Sequence, residues 1–530
     1  MKNVPINPID SAETQPRLVA VIDIGSTSLR MQIAEIHPDR SVRRIESFSQ
    51  AVSLGEDSFL KRAIELDTIE DCVKVLSGYR DQLRAYGIDH SEDIRVVATS
   101  GLNEAANRLA FRDRIFIATG FEIEPFDEAE LHRVTYLGVL PFLLEAPDVF
   151  SDQTLVLEVG GGTSEILLLN GLDVSLARTF PLGSLRLRKR IEAYDAPLLA
   201  SRSLMEAQIN RVIAQLLVEG AQPKPNTMLA MGGEVRFAAR EISQQAVANQ
   251  LVPIALDQLN AFTESLLALS PATIAARYHM SLPDAQSLGP ALLTQTMYAS
   301  QLGIKKIHVA NTNLRDGLVL EMAQGRQWSS AIHDQILRSA MQLGKKFKHD
   351  KTHAKHVAQL ATSLFDDLQD LHLLPRHYRS TLELAAILHE IGRFISVRSR
   401  HKHASYLIQN SHLFGISRKE RTLVSLVARY HRGAHPQPSH APYSRLERDQ
   451  RIVVAKLAAI LRIAKALDTG RRQQVGSVVA KVSGTNLILQ APNVEDLTVE
   501  KLELKQMSRL FENVFGKRVV LTSAAASSDR

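Results

Sequence analysis

"VLEVGGGTSEILLL", residues 156–169, runs from an apolar strand into a glycine triplet and out into a second apolar strand. Glycine-rich turns expose consecutive backbone N–H groups that can converge on phosphate oxygens, and a side chain would block that approach. The same layout occurs earlier as "VIDIGSTSLRMQIA", residues 21–34. Glu158 falls on Asp23, Gly160 on Gly25 and Thr163 on Ser28, so the copies lie about 135 residues apart. Two strand–turn–strand units of this kind predict two similar α/β lobes facing across a cleft. Gly160, Gly161 and Gly162 in one turn and Gly25 in the other are candidate phosphate-binding residues. Ser26, Thr27, Ser28, Thr163 and Ser164 add hydroxyl donors. A third turn, "LAMGGEVRFAAR", adds Gly232 and Gly233.

The carboxylates beside these turns have a separate role. Asp23, Glu158 and Glu165 would repel phosphate unless a hard cation lies between, and Mg²⁺ is the expected ion. In the flanking sequence, "TIEDCVKVLSGYRDQLRAYG" and "NEAANRLAFRDRIFIATG" have helical periodicity, the second with a cap, and "DIRVVATSG" reads as a strand. "KKIHVANTNLRDGLVLEMA" reads as a last strand, turn and helix closing the second lobe.

From about residue 330 the composition turns helical, and thirteen of the 18 histidines lie in 333–440. "SVVAKVSG", "NLILQAP" and "KRVVLTSA" then read as strands around the helix "VEKLELKQMSRLFENVFG". The expected organisation is a disordered lead (1–17), an α/β lobe (18–135), a second lobe (136–328), a helical domain (329–475), a small α/β tail domain (476–522) and a frayed end (523–530). This length exceeds what one core supports.

Hydrophobic residues at 45% and charged residues at 23% describe a globular chain without a membrane-spanning run or signal peptide. A single cysteine, Cys72, excludes an internal disulfide framework and fits the cytoplasm. The formal charge of +6 is modest, but basic residues cluster at Arg178–Arg190, Lys345–Lys348 and Arg393–Lys402. Several such clusters suit an extended polyanion. Aromatics at 5% do not interleave with them, so stacked nucleic acid is not expected.

The segments "IDIGSTSLR", "VVATSGLNEAANR", "YLGV", "GGGTSE", "PLGSLRL" and "LRDGL", in this order, resemble the exopolyphosphatase/guanosine pentaphosphate phosphohydrolase (Ppx/GppA) family. The carboxy-terminal "HAKHVAQLA", "LHEIGRFIS", "HKHASYLIQNS" and "ARYHRG" resemble that family's helical HD-type domain. The resemblance covers about residues 18–475. It implies two ribonuclease-H-like lobes of the actin-like ATPase superfamily, followed by an all-α HD-type domain and the small α/β tail. It also implies Mg²⁺-dependent removal of terminal phosphate from polyphosphate or guanosine pentaphosphate, by in-line attack of water in the interlobe cleft.

The departures from the family bear on catalysis. Thr27 replaces an asparagine, and Glu158 replaces an aspartate. Asn103 stands where the family has a phosphate-contacting arginine. The family's water-orienting glutamate aligns with Leu131, which leaves Glu130 and Glu128 as the nearest carboxylates; these, with Glu158, are the candidate catalytic residues. In HD-type enzymes a histidine, a His-Asp pair and a later aspartate hold a divalent metal. The matching positions are His353, His389 with Glu390, and Asp468, a set suited to Mn, Fe, Ni or Zn. A structural role for this domain is the first expectation, with His401, Lys402 and His403 lining a basic track. The expected partner is polyphosphate or a phosphorylated guanine nucleotide, with no specific nucleic acid and no membrane; a homodimer is compatible with this reading. The rival expectation is a family relative that binds polyphosphate or an alarmone as a sensor without hydrolysing it.

Overall fold

The computed structural model describes residues 15–192, 198–219, 224–244, 250–325 and 330–524. The expected disordered lead and frayed end lie outside these residues, except that β-structure begins at Arg17 and reaches Ala524. The chain divides into two compact units, residues 1–328 and 329–530.

The first lobe is a five-stranded sheet in the order β3-β2-β1-β4-β5. Its strands are β1 (Arg17–Ile24), β2 (Ser28–Ile36), β3 (Val42–Ala51), β4 (Ile94–Ala98) and β5 (Ile123–Pro125). Central β1 pairs antiparallel with β2 and parallel with β4. Flanked on both sides and covered on both faces, it reads as an almost unbroken apolar run. On one face α1 (Leu66–Ala85) and α2 (Arg108–Thr119) place Cys72, Leu76, Leu83, Phe111 and Ile115 against Ile22 and Ile24. The helix expected from Asn103 begins only at Arg108. Asn107 makes no cap; its side chain instead accepts from the Ile64 amide at 2.9 Å and donates to the Ile64 carbonyl at 2.8 Å.

α3 (Glu128–Glu145) covers the other face and passes straight through the expected lobe boundary at residue 135. The second lobe starts with β6 (Gln153–Val159), followed by β7 (Ser164–Asn170) and β8 (Asp173–Phe180). α4 (Ser184–Glu192), α5 (Leu198–Glu219), β9 (Thr227–Met231), α6 (Gly233–Ser243), β10 (Val252–Ala255), α7 (Leu282–Leu302) and β11 (Lys306–Val309) complete its frame. Its sheet order is β10-β11-β9-β6-β7-β8. Apart from the antiparallel edge strand β10, this is the first lobe's topology repeated, with β6, β7, β8, β9 and β11 in place of β1 to β5. Both lobes are therefore ribonuclease-H-like.

The last helix, α8 (Leu314–Ala323), does not close the second lobe as expected. It crosses back and buries Leu318, Val319 and Met322 against Val19, Val21 and Val134 of the first. The crossing on α3 is close because Gly317 carries no side chain; a Cβ there would fall on the Val134 carbonyl.

In the second unit α9 (Lys351–Asp367), α10 (Tyr378–Leu388), α11 (Arg400–Gln409), α12 (Arg418–Arg429) and α13 (Arg448–Ala466) form a helical body. Its tail is a three-stranded sheet, β12 (Val479–Ser483), β13 (Asn486–Pro492) and β14 (Arg518–Ala524). The helix expected within the tail is two, α14 (Thr498–Met507) and α15 (Arg509–Phe515). No described helix is long and apolar enough to cross a membrane.

A buried charge cluster fixes α8 on the first lobe. Glu321 of α8 accepts from Arg133 of α3 at 2.9 Å and from Arg95 of β4. Removing one partner of such a group strands the others in low dielectric, at a cost of about 3–5 kcal/mol. Glu321→Ala should accordingly lose a large part of that figure in urea unfolding of residues 1–328 within the whole chain. A loss below about 1 kcal/mol would show that the arginines find solvent instead.

Candidate active site

The two glycine turns sit at the carboxyl ends of β1 and β6 and are closed by the same bond. The Gly25 amide donates to the Ser28 carbonyl at 3.1 Å, and the Gly160 amide donates to the Thr163 carbonyl at 2.9 Å. The amides of Ser26, Thr27, Gly161, Gly162 and Thr163 find no protein acceptor among the described residues. Five N–H groups at two facing turns are thus left for a ligand.

The turns pack against each other. A Cβ on Gly161 would lie 2.6 Å from Ser26 Oγ, and one on Gly162 would lie 2.7 Å from Ser100 Oγ. Neither glycine is left-handed, so what each supplies is space between the lobes. Gly232, by contrast, is left-handed (φ 116°) and caps α6, which directs the helix's free amides and Gly233 toward the end of β6.

The segment expected as "PLGSLRL" braces the triplet from behind. Ser184 and Arg186 amides donate to the Gly160 and Gly161 carbonyls at 2.9 and 3.1 Å, and Arg186 Nε donates to the Gly162 carbonyl at 2.9 Å. Ser164 Oγ is spent on the Leu182 carbonyl rather than facing a ligand. Arg186 also reaches across to Glu104 of the first lobe and lies over the Phe59 ring at 3.9 Å. Lys189 adds a second bridge, to Glu56 at 2.6 Å. These basic residues hold the lobes together and are not part of an open polyanion track. Arg393 and Arg400 of the third cluster likewise face Glu390, at 3.5 and 3.7 Å.

Asp23, Glu158 and Glu165 converge. Glu158 and Glu165 are register partners on β6 and β7, and Asp23 is close enough to act on Glu158 electrostatically. Desolvation, then Glu165 and Asp23, push the Glu158 carboxyl up to about 7 against the opposing pull of Arg236 and Arg30. Glu165 accepts from Thr179 Oγ1 and sits 3.4 Å from His132 Nε2, while its other oxygen is buried without a partner. Crowded carboxylates with an unpartnered oxygen are a donor set that fits a hard divalent ion.

The counter-charge comes from residues outside the expected site. Arg30, Arg236 and Arg315 all lie in this centre, and each follows a turn motif: "GSTSLR", "GGEVR" and "NLR". Arg315 Nη1 contacts Asp23 Oδ2 at 3.3 Å, and Arg236 Nη1 donates to the Thr312 carbonyl at 3.0 Å. Burial lowers the pKa of Arg236 and Arg315, opposed mainly by Glu158 and Asp23 respectively. Three partly desolvated guanidiniums beside free amides suit a multiply charged anion.

The candidate bases separate cleanly. Glu130 is a capping-box residue, its carboxylate accepting from the Asp127 amide at 3.0 Å, so it is directed at the start of α3. Leu131 packs on the apolar cluster beneath α8. Glu128, by contrast, faces the carboxylate centre, and its pKa is raised by desolvation, with Glu165 adding to the shift and His132 opposing it. Asn103 does not reach the turns, because its amide donates to the Phe126 carbonyl at 2.8 Å. Beside Thr27 the cleft opens into a cavity of ≈ 160 Å³ lined by Ser53, Glu56, Arg188, Gln286 and Ser287.

In the second unit His353, His389 and Glu390 bring ligand atoms within 4.8 Å of one another. Asp468 stands behind His353, its Oδ2 2.7 Å from Nδ1, and also accepts from the Gln473 amide at 3.0 Å. His431, which the sequence reading did not single out, packs edge-on against His389 with ring centroids 4.9 Å apart.

Fold and site together define a two-lobed ribonuclease-H-like protein with paired glycine turns at the ends of β1 and β6. The sequence profile described as "Ppx/GppA phosphatase family" matches residues 21–325, and that for "Ppx/GppA phosphatase, domain III" matches residues 337–507. The chain belongs to the Ppx/GppA phosphatase family, a family of phosphoanhydride hydrolases. It is 26% identical over 477 residues to a guanosine-5'-triphosphate,3'-diphosphate pyrophosphatase of Aeromonas hydrophila, covering 86% of this chain and 88% of that one. The protein of that name in Photobacterium profundum is 23% identical, covering 84% and 86%. The crystal structure of an exopolyphosphatase from Cytophaga hutchinsonii shares the fold, with a TM-score of 0.51 at 20% identity, over 58% of this chain and 98% of that one.

If the glycine contacts set the spacing of the lobes, Gly161→Ala should prise the turns apart without unfolding either sheet. Amide hydrogen exchange should then quicken at the bonded amides of Gly25, Val52, Gly55, Asn103 and Glu104 while β1 and β6 stay protected. Unchanged exchange at those amides would show that Ser26 simply rotates out of the way.

Proposed function

We propose that the chain is a Mg²⁺-dependent phosphohydrolase that releases the terminal phosphate of guanosine pentaphosphate or inorganic polyphosphate. The observation that carries the proposal is the set of five amides at two facing turns without a partner among the described residues, next to carboxylates that Arg30, Arg236 and Arg315 also face. Relatives named for a guanosine-5'-triphosphate,3'-diphosphate substrate, matched over most of their length, support the nucleotide. The cavity beside Thr27, with Arg188 in its lining, is where the substrate would continue from the turns.

The terminal phosphate sits between the turns, its oxygens accepting from the Ser26, Thr27, Gly161, Gly162 and Thr163 amides. Asp23, Glu158 and Glu165 would hold Mg²⁺, which when bound supplies positive charge to the phosphate oxygens. Arg236 and Arg315 stabilise charge as it spreads during transfer. Glu128 accepts a proton from the attacking water as the new P–O bond forms and the anhydride P–O bond breaks. The shortened substrate leaves with the bridging oxygen's electron pair. A carboxylate whose pKa is raised makes a better base near neutral pH.

Glu128→Gln and Glu130→Gln test the assignment in one phosphate-release assay with Mg²⁺ and each substrate. Glu128→Gln should lower kcat by about 10²-fold or more, in the usual range for a general base. Glu130→Gln should keep kcat and leave stability nearly unchanged, because glutamine can accept from the Asp127 amide in the same capping box. Equal losses of kcat in both would remove Glu128 from this role.

Mg²⁺ affinity should also depend on pH. The Glu158 carboxyl titrates at about 7, so protons compete with the ion below that value and cease to compete above it. Calorimetry should show affinity rising with pH up to about 7 and then levelling, a profile that Glu158→Gln flattens. A pH-independent affinity in the unsubstituted chain would count against Glu158 as a ligand.

A second reading has its own observations. Leu131 is packed into an apolar cluster and Asn103 is tied to Phe126, so two positions that serve catalysis in the family are structural here. Substrate binding without phosphate release from either compound would make the chain a sensor.

A further inference from the structure

The turn Ile391–Phe394 and the residues after it carry a surface that chemistry at the glycine turns does not use. Ile391 is fully buried, whereas Phe394, Ile395 and Val397 are 52%, 48% and 64% exposed. The backbone holds them there. The Ile395 and Ser396 amides donate to the Gly392 carbonyl at 3.2 and 3.3 Å, and the Arg398 amide donates to Ser396 Oγ at 3.1 Å. Gly392 lies so close to α11 that a Cβ would fall 2.0 Å from the Arg400 carbonyl. The segment is thus pinned at its base while its apolar side chains stand in water. Clustered exposed apolar side chains, unlike scattered ones, mark a contact surface.

A second segment meets the first. The Phe347 and Phe394 rings lie edge-on, with centroids 5.4 Å apart. Phe347 follows the helix Ser330–Lys346 and is bracketed by exposed Lys345, Lys346 and Lys348. Arg398 and Lys402 are exposed beside the apolar loop. None of these five cations has an ion-pair partner among the described residues. Arg393, Arg400 and Arg471 do have one, but all three share Glu390. Even with Asp350 on Arg471 at 3.1 Å, three guanidiniums face two carboxylates. The charges acting most strongly on His401, at the start of α11, are those of Arg432, Lys402, Arg429 and Arg400. Positive charge is therefore left over beside the apolar side chains.

The two halves of this surface together narrow its ligand. A free polyanion would pair with the cations and leave Phe394, Ile395 and Val397 in water. Four of the five unpaired cations are lysines, mobile point charges that suit a diffuse negative layer better than fixed carboxylates on a protein partner. An anionic bilayer uses both halves. Apolar side chains enter the boundary between headgroups and acyl chains, and lysines reach the headgroup phosphates with their stems along the apolar surface. We propose that the Phe394–Val397 loop, flanked by Lys345, Lys346, Lys348, Arg398 and Lys402, seats the second unit on an anionic lipid bilayer as a peripheral contact. This reverses the expectation of no membrane partner, and it requires no segment to cross the bilayer. Apolar insertion and charge attraction acting together give firmer attachment than either alone. The surface lies wholly in the second unit, so its fate and that of the proposed hydrolysis are independent.

The full-length chain is mixed with extruded vesicles of phosphatidylcholine, either pure or enriched in phosphatidylglycerol, and the bound fraction is measured by co-sedimentation. Binding should be at least about 10-fold tighter to the anionic vesicles and should weaken as salt rises. Phe394→Ser/Ile395→Ser/Val397→Ser should bind about 10-fold more weakly or worse. Lys345→Gln/Lys346→Gln/Lys348→Gln should lose about fivefold per charge and flatten the salt dependence. Circular dichroism checks the fold of each variant. Phe394→Trp keeps an aromatic ring in the loop, and its added emission should shift to the blue on anionic vesicles only; this variant decides if a triple variant does not fold. Equal or absent binding to the two vesicle types, undiminished binding by the folded apolar variant, or an unshifted Phe394→Trp emission would overturn the proposal. So would a dimer in sedimentation velocity that the apolar variant turns into monomer, because a second copy would then cover this surface.

Discussion

The absence of side chains at Gly161 and Gly162 is the constraint on which the first unit depends. It lets the Gly160–Thr163 turn come against Ser26 of the first turn and against Ser100. The lobes then close far enough for Arg186 to reach Glu104 and Lys189 to reach Glu56. That closure gathers carboxylates from β1, β6 and β7 and arginines from three turn motifs into one partly desolvated centre. In such a centre desolvation, and then the neighbouring Glu165 and Asp23, push the Glu158 carboxyl up to about 7.

The centre is mixed in charge as well as crowded. Arg30, Arg236 and Arg315 already stand among its carboxylates, so cations need not be recruited to balance an anion there. Preorganised charge of this sort stabilises a transition state without reorganisation during the reaction. The centre's partners are held from behind by ordinary structural bonds, Thr179 and His132 on Glu165 and the Thr312 carbonyl on Arg236. Alteration of those supports would disturb the site without touching its ligands.

Much of this was legible in the sequence, for identifiable reasons. The duplicated strand–turn–strand units carry glycine and acid at fixed offsets, and the matching turn bonds at Gly25 and Gly160 show that the offset is structural. β3 and β8 were missed because they lie on the outer side of each sheet and carry mixed polar sequences with few buried residues. The return of α8 to the first lobe was hidden because periodicity reports which face is apolar and not what covers it. The choice between Glu128 and Glu130 was readable in principle, since "DEAE" at 127–130 is a capping box that commits Glu130 to the backbone. Arg30, Arg236 and Arg315 each follow a turn motif in the sequence, but nothing in the motifs themselves says that the three meet. His431 could not be paired with His389 from sequence alone, because their meeting depends on how α10 and α12 pack.

The central claim is that the free amides of the two turns hold the phosphate. Selective ¹⁵N labelling of glycine and serine, with tripolyphosphate and Mg²⁺ added to the full chain, measures this directly by amide chemical shift. The account predicts large shifts at Ser26, Gly161 and Gly162 together, with smaller ones at Gly25 and Gly160, whose amides are already bonded. Shifts confined to residues outside both turns would contradict it.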